Sequence, residues 1–257
     1  MQNGEYNFPI ITRAREYRLY SNSGKKYLDF FQEEGRAILG HRPAKLSNEL
    51  KNVMSRGLYA SYPSIYEYRL FRASKVLLPD YNQFWVFSDW LNALSFLKET
   101  GGICKIDEIT DPLFCKPGKV SFWRPFLEVA YGDIVIPVVP FPGSFAPIVI
   151  AGKGPEENYF IDGVSPIIEA GMAKVIYSLK NFISFNPYDK LLFSAPGWTR
   201  KGPYLLFEGD NSNYRKVCKI GVDNGIIFNP KFGSFSILPA EFDYGELKGF
   251  LRMVKNV

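Results

Sequence analysis

The sequence is poor in the residues that most often catalyse reactions or bind metals, with one histidine and three cysteines among 257 residues. The single histidine, His41, excludes Ser-His-Asp and Cys-His catalysis unless His41 itself serves. One histidine with unclustered carboxylates also predicts no metal site, because a metal needs several convergent ligands. Cys104, Cys115 and Cys218 lack metal or redox spacing and are odd in number, which indicates a reducing compartment.

The sequence also predicts no targeting segment and no membrane span. Its first residues, MQNGEYNFPI, do not have the basic-then-apolar order of a secretory signal. No run approaches the roughly 20 apolar residues of a membrane span. The net charge of +5 is small, and the lysines and arginines are scattered. We therefore expect a cytoplasmic protein with no membrane or nucleic-acid partner.

What the sequence contains is typical of a folded globular chain. Hydrophobic residues make up 46% and charged residues 22%, while the aromatic share of 16% is high. At this length the prior is one domain or two closely packed ones. Helical spacing predicts a helix over residues 45–56 and a second after Ser64. The strand FWVF, residues 84–87, then meets Ser88 and Asp89, a good N-cap pair for the next helix.

Two apolar strands joined by a turn rich in proline and glycine are predicted within residues 132–151. Residues 152–163 are predicted to be a polar connector, and Ser165-Pro166 starts a long helix with proline at its first position. From residue 186 onward the pattern predicts a β-α-β-β-α order. Its segments are a strand at 204–207, a helix at 211–223, strands at 225–228 and 235–238, and a final helix containing Leu247 and Val254.

Two segments resemble a known family, the class III aminotransferases, which use pyridoxal phosphate (PLP). The run SGKKYLDF at residues 23–30, followed by Gly35 and by LGHRP at residues 39–43, resembles the family's D-G-K-R-Y-L-D-F … G … L-G-H-x-x-P segment. This is the most specific match in the chain. Residues 84–98 resemble the strand, turn and helix in which the family writes S-G-[ST]-E-A-N. Of those turn residues, Asn92 is retained.

The segment GDIVIPVVPFPGSFAPIVIA, residues 132–151, resembles the family's cofactor strands, P-D-I-V-T-L-G-K before a glycine-rich turn. Aligned without gaps, Asp133 falls on the family's aspartate and Val139 on its Schiff-base lysine. PLP catalysis requires an amine at that position, which valine does not supply. Lys153, in the segment AGKG, is the nearby alternative. It is either the Schiff-base lysine or a solvated loop lysine.

The resemblance also implies a degenerate phosphate-binding turn. The family holds the phosphate with backbone N–H groups and a hydroxyl at a helix N-terminus. Here Ser88 and Asp89 occupy those positions, and a carboxylate beside a phosphate dianion is repulsive. The residues expected to face a cofactor are therefore Ser88, Asp89, Asn92 and Asp133.

The fold implied by the resemblance is α/β. It consists of a reduced large domain of the PLP-dependent transferase fold (fold type I), with an α/β/α sheet, plus a small α+β C-terminal domain. We expect residues 1–43 to form an N-terminal arm that contributes to the small domain. Residues 44–182 would form the reduced large domain, and residues 183–257 the C-terminal domain.

Three functions remain open from the sequence. The first is a class III aminotransferase-like protein that has lost PLP catalysis and acts as a binding, regulatory or partner-subunit protein. It would need no cofactor, would form a homodimer because the family builds its cleft at a subunit interface, and would have a small-molecule or protein partner. The second is an active PLP-dependent aminotransferase or aminomutase that uses Lys153. The third is a different small-molecule enzyme in a remodelled cleft.

Overall fold

The computed structural model describes residues 8–43, 45–58 and 60–255. The ends of the predicted arm and C-terminal domain, residues 1–7 and 256–257, lie outside the described residues. The α-helices are α1 (Leu46–Ser55), α2 (Ile65–Leu77), α3 (Trp90–Gly101), α4 (Pro166–Phe185), α5 (Asn211–Asp223) and α6 (Tyr244–Val254). The strands are β1 (Ile11–Arg15), β2 (Arg18–Ser21), β3 (Lys26–Asp29), β4 (Gln83–Phe87), β5 (Val120–Trp123), β6 (Ile134–Pro137), β7 (Ile148–Gly152), β8 (Asn158–Asp162), β9 (Trp198–Lys201), β10 (Tyr204–Phe207), β11 (Ile226–Ile227) and β12 (Phe235–Ile237).

The described residues form two compact units, one of residues 8–43 with 186–255 and the other of residues 45–185. Among these residues, no helix combines the length and apolarity needed to span a bilayer. In the first unit, β1, β2 and β3 form an antiparallel meander, and β11 pairs with β3 in parallel. Strands β12, β10 and β9 form a second, antiparallel sheet, in which β9 was not predicted.

Much of the aromatic content packs inside the first unit. The ring of Phe228 lies 5.1 Å from that of Phe30 and 5.2 Å from that of Phe250, measured between centroids. Trp198 stacks on the same Phe228 ring at 4.9 Å. Tilted and stacked pairs of this kind add to the free energy of burial. The high aromatic share is thus explained in part by this core.

In the first unit, the residues that resemble the family's motif, among them Asp29, Gly40 and His41, make structural contacts with the backbone. One oxygen of the buried Asp29 carboxylate accepts the N–H groups of Phe31 and Gln32, and the other lies 2.7 Å from His41 Nε2. Gly40 has a φ of +81°, and a Cβ there would come within 3.1 Å of the Glu16 backbone. This close approach lets the His41 N–H donate to the Glu16 carbonyl at 2.7 Å. The only histidine therefore has a structural partner.

The second unit contains a five-stranded sheet in the order β5-β6-β7-β4-β8. Strands β5, β6, β4 and β8 run in one direction, and β7 runs against them. Helix α3 packs Ala93 and Leu97 against Ile136 and Ile150 of the sheet, which forms a buried core cluster. Helices α1, α2 and α3 and strands β4, β6 and β7 lie where the sequence predicts them.

The prediction of a polar connector over residues 152–163 was wrong, because Asn158–Asp162 forms strand β8. Each of its residues pairs with β4, so that Tyr159 lies opposite Phe84 and Asp162 opposite Phe87. The strand lies at the edge of the sheet, and Tyr159 and Phe160 remain 38% and 48% exposed. An edge strand of this kind lacks the alternation of buried and exposed residues on which a sequence-based prediction depends.

Candidate functional site

One edge of the five-stranded sheet collects the carboxyl ends of its four parallel strands. Ser88 follows β4, Arg124 follows β5, Val138 and Val139 follow β6, and Asp162 ends β8. Ligands of open α/β sheets bind outside the carboxyl ends of the strands. This edge, which we call the carboxyl edge, is therefore the candidate functional site.

A small polar cluster occupies the carboxyl edge where β4 meets α3. Asp89 caps α3, with its carboxylate accepting the Asn92 N–H at 2.9 Å. The Asn92 side-chain amide donates to both the Asp89 and the Asp162 carboxylates at 3.2 Å. Ser88 Oγ donates to Asp89 at 3.3 Å. The structure thus places Ser88, Asp89 and Asn92 in one hydrogen-bonded cluster.

Asp162 belongs to this cluster and was missed in the sequence. Its backbone carbonyl accepts the Ser88 N–H at 3.2 Å, because β8 runs alongside β4 in parallel. The turn that follows is tight: Gly163 has a φ of +68°, and a Cβ there would lie 3.2 Å from Ser88 Oγ. The sequence signal was the Asp-Gly pair after an apolar triplet. This pair indicates a residue at a strand end only once β8 is recognised as a strand.

The electrostatics of the cluster disfavour a phosphate. Two carboxylates, Asp89 and Asp162, lie at the N-terminus of α3. The Asn92 N–H, one of the backbone donors at that helix end, already donates to Asp89. Two unit charges of like sign at 4 Å repel by roughly 1 kcal/mol in bulk water and roughly 4 kcal/mol near a protein surface. The positive end of the helix dipole is therefore offset by the protein's own carboxylates.

Val139, at the predicted lysine position, is buried with 1% of its surface exposed. The Val138 N–H donates to the Trp123 carbonyl at 3.0 Å, and the Phe141 N–H donates to the Val139 carbonyl at 2.8 Å. The Phe141 ring packs against Gly171 of α4, where an added Cβ would lie 2.8 Å from the ring. The chain that leaves β6 is thus packed with apolar side chains.

Lys153 and Asp133 lie at the opposite edge of the sheet. Strand β7 runs against β4, so its last residue, Gly152, pairs with Gln83 at the start of β4. The Lys153 N–H donates to the Asp133 carbonyl at 2.9 Å, and the Lys153 ammonium lies 5.3 Å from the centroid of the Tyr81 ring. Ser88 follows the other end of β4, about 15 Å away at the usual rise per strand residue. The structure does not bring Lys153 or Asp133 to Ser88, Asp89 and Asn92.

Arg124, the arginine that follows β5 at the carboxyl edge, is paired with a carboxylate. Arg124 donates from Nε to both oxygens of Asp111 at 2.9 and 3.0 Å, and from Nη2 to Oδ2 at 2.6 Å. Its side chain is 7% exposed. A buried arginine held by a carboxylate in this bidentate manner is a structural group, because separating the two would leave an uncompensated charge.

No lysine occurs in the segments that leave the carboxyl ends, which are residues 88–89, 124–133, 138–147 and 163–165. Among the residues that the structure describes, no group of three or more His, Cys, Asp or Glu side chains is placed to hold a metal ion. The carboxyl edge therefore offers a hydroxyl, an amide and two carboxylates to a ligand, and none of these is an amine nucleophile.

Comparisons with known proteins give sequence relatives and a shared fold. No family model matches the chain. An uncharacterized protein of Borreliella burgdorferi is 27% identical over 268 residues, which cover 96% of this chain and 90% of that protein. Glutamate-1-semialdehyde 2,1-aminomutase of Clostridium acetobutylicum is 37% identical over 62 residues, which cover 24% of this chain and 15% of that protein.

Among solved structures, ornithine delta-aminotransferase of Plasmodium falciparum matches with a TM-score of 0.70 at 14% identity, over 100% of this chain and 95% of that chain. Acetylornithine aminotransferase of Elizabethkingia anophelis matches with a TM-score of 0.69 at 13% identity, over 100% of this chain and 96% of that chain. At these identities the likeness establishes the fold alone. The α/β, fold type I architecture of class III aminotransferases, predicted from the sequence, is confirmed.

Proposed function

We propose that this chain is a class III aminotransferase-like protein that has lost PLP catalysis and serves as a binding, regulatory or partner-subunit protein. The observation that carries the proposal is the composition of the carboxyl edge: its segments contain no lysine, and Val139 is buried where the resemblance expects one. The groups that are present do not fit PLP, since the family's phosphate position carries Asp89 beside Asp162. We therefore derive no catalytic step through that cofactor.

The second candidate, an active aminotransferase or aminomutase, requires Lys153. It is favoured by the resemblance of IVIAGKG to the family's step from strand to lysine. Against it stands the position of Lys153, which lies beside Asp133 and Tyr81 at the far end of β7. A Schiff base there would have to recruit different phosphate contacts from Ser88, Asp89 and Asn92.

Reaction with PLP separates the two candidates. The chain is incubated with PLP, reduced with borohydride and examined by absorbance and peptide mass spectrometry. We expect only scattered, substoichiometric labelling of surface lysines, at the same level in the parent chain and in Lys153→Ala. Lys98→Ala, which removes another exposed lysine, is the matched control. A stoichiometric adduct that disappears in Lys153→Ala alone would overturn the proposal in favour of the active enzyme.

By the same resemblance we propose a cytoplasmic homodimer with a small-molecule or protein partner. Analytical ultracentrifugation across a range of protein concentrations tests the assembly. We expect a dimer mass that persists on dilution into the micromolar range, since stable dimers bury well over 1,000 Å² of surface. A monomer at every concentration contradicts this part of the proposal and leaves the loss of catalysis to be judged by the PLP experiment.

A further inference from the structure

A groove of about 580 Å³ lies on the second unit between α1, α2 and α4. Its lining comes from two helical stripes, one of Ile65, Tyr68, Arg69 and Arg72 on α2 and one of Ala170, Ala173, Lys174 and Tyr177 on α4, together with Tyr66 and Glu49. The residues of each stripe recur at the three- and four-residue spacing of one helix face. The groove is thus built into the helix pair.

The bottom of the groove is small and apolar. Ala170 and Ala173 are buried, at 3% and 5% exposure, and Tyr66 packs with Ala170 in a core cluster. Larger side chains at the two alanines would fill the space between α2 and α4. A volume of this size is within the 300–1,000 Å³ typical of small-molecule sites.

Among the described residues, three cations and one carboxylate, that of Glu49, line the groove. In the described part of the chain, Arg69, Arg72 and Lys174 form no ion pair with a carboxylate. Several unpaired cations around one concave surface attract an anion, and a low-dielectric wall strengthens that field. The groove therefore has the charge of an anion site.

Tyrosine rings position the two guanidinium groups. Arg69 Cζ lies 5.2 Å from the centroid of the Tyr66 ring, and Arg72 Cζ lies 5.7 Å from that of Tyr68. Arg72 also donates to Tyr68 Oη at 3.4 Å. Contacts of this kind restrict the arginine side chains while leaving N–H groups for a second partner. Guanidinium forks bind phosphate oxygens two at a time.

The remaining surface of the groove suits a planar ring. Tyr68 and Tyr177 are 59% and 39% exposed at its walls. Exposed aromatic faces stack on flat, delocalised rings, and a guanidinium plane does the same. From these groups together we propose that the groove binds a small organic phosphate that carries a planar ring, of the nucleoside monophosphate type.

The test is a binding measurement on the full chain by isothermal titration calorimetry at physiological salt. The probes are AMP and UMP, with adenosine and inorganic phosphate as partial ligands. We expect saturable binding of both nucleotides, with adenosine binding at least about tenfold more weakly because it lacks the phosphate. Inorganic phosphate should bind more weakly than AMP, because it lacks the ring.

The variant Arg69→Gln with Arg72→Gln should weaken AMP binding about tenfold or more. Lys174→Gln serves as a second variant in case the double change affects folding. Lys98→Gln with Lys116→Gln removes the same charge from exposed residues outside the groove, and AMP affinity should stay as in the parent chain. Tyr177→Leu should weaken AMP and leave inorganic phosphate unchanged.

Absence of saturable nucleotide binding would overturn the proposal. So would equal affinity for AMP and adenosine, or an AMP affinity that is reduced as much in the Lys98 and Lys116 control as in the arginine variant. If inorganic phosphate binds as tightly as AMP, the ring specificity is refuted. These outcomes are independent of the PLP experiment, because no residue of the groove belongs to the carboxyl edge.

Discussion

At the scale of single residues, the carboxyl group of Glu169 on α4 is unusual because it is buried, with 1% of the residue exposed. Burial raises its pKa to about 7, against the opposing hydrogen bond that Ser64 Oγ donates at 2.9 Å. The same Ser64 hydroxyl accepts the Tyr66 N–H at 3.1 Å and so caps α2. A proton on Glu169 thus removes the cost of burying a charge where the start of α2 meets α4.

We predict that Glu169→Gln flattens the pH dependence of stability. The native pKa of about 7 exceeds the ordinary value of 4.5, so the native state retains a proton that the unfolded chain releases. The contribution is complete below pH 4.5 and is lost as the pH rises through 7. By urea denaturation, the variant should equal the parent chain near pH 4 and exceed it by roughly 3 kcal/mol near pH 8. Identical pH slopes for both chains would contradict this assignment.

At the scale of elements, helix α6 is joined to the meander by one carboxylate. Glu246 pairs with Arg18 of β2 at 2.9 Å and with Lys26 of β3 at 2.8 Å, and it completes the capping box of α6 with Asp243. Burial raises the pKa of Glu246, but the hydrogen bonds from Arg18, Lys26 and the Asp243 N–H outweigh it and bring the pKa to about 2.

We predict that Arg18→Gln destabilises the first unit by about 1–2 kcal/mol, as expected for a partly buried, charged hydrogen bond. Because the native pKa lies below the ordinary 4.5, this stabilisation is present above pH 4.5 and is lost as the pH falls toward 2. The deficit of the variant in urea denaturation should therefore shrink in acid. Arg15→Gln, which breaks the exposed pair with Glu16, is the control and should cost under about 0.5 kcal/mol.

At the scale of the whole molecule, the two units differ in how the chain builds them. The second unit is one continuous segment, residues 45–185, whereas the first needs both ends of the chain. Strand β3 obtains its parallel partner, β11, from the C-terminal part. The order of the chain therefore makes one unit separable and the other dependent on residues distant in sequence.

We predict that a fragment of residues 45–185 folds by itself and unfolds cooperatively, since it retains its complete sheet and core. A fragment of residues 8–43 should remain unfolded, because β3 then lacks β11. Circular dichroism during thermal denaturation of both fragments is the measurement. An unfolded 45–185 fragment, or a folded 8–43 fragment, would contradict this division.

Local residue patterns were enough to predict several elements of this molecule. Ser64 and Asp89 begin α2 and α3 through their own side chains, so the signal and its effect lie within three residues. The resemblance over residues 23–43 was enough to predict the fold. In the structure, Asp29 and His41 of that segment contact each other and have a structural role. The absence of lysine from GDIVIPVVPFPG is likewise a property of sequence alone.

Tertiary structure decided which groups meet. The sequence alone determined the caps, the strand pair within residues 132–151 and the valine at position 139. Pairing between distant strands placed Asp162 beside Asn92 and sent Lys153 to the opposite edge of the sheet. Helix packing buried Glu169 and formed the groove with Arg69 and Arg72. The reason is physical: caps and turns depend on neighbours in sequence, whereas burial and strand order depend on residues brought together only by folding.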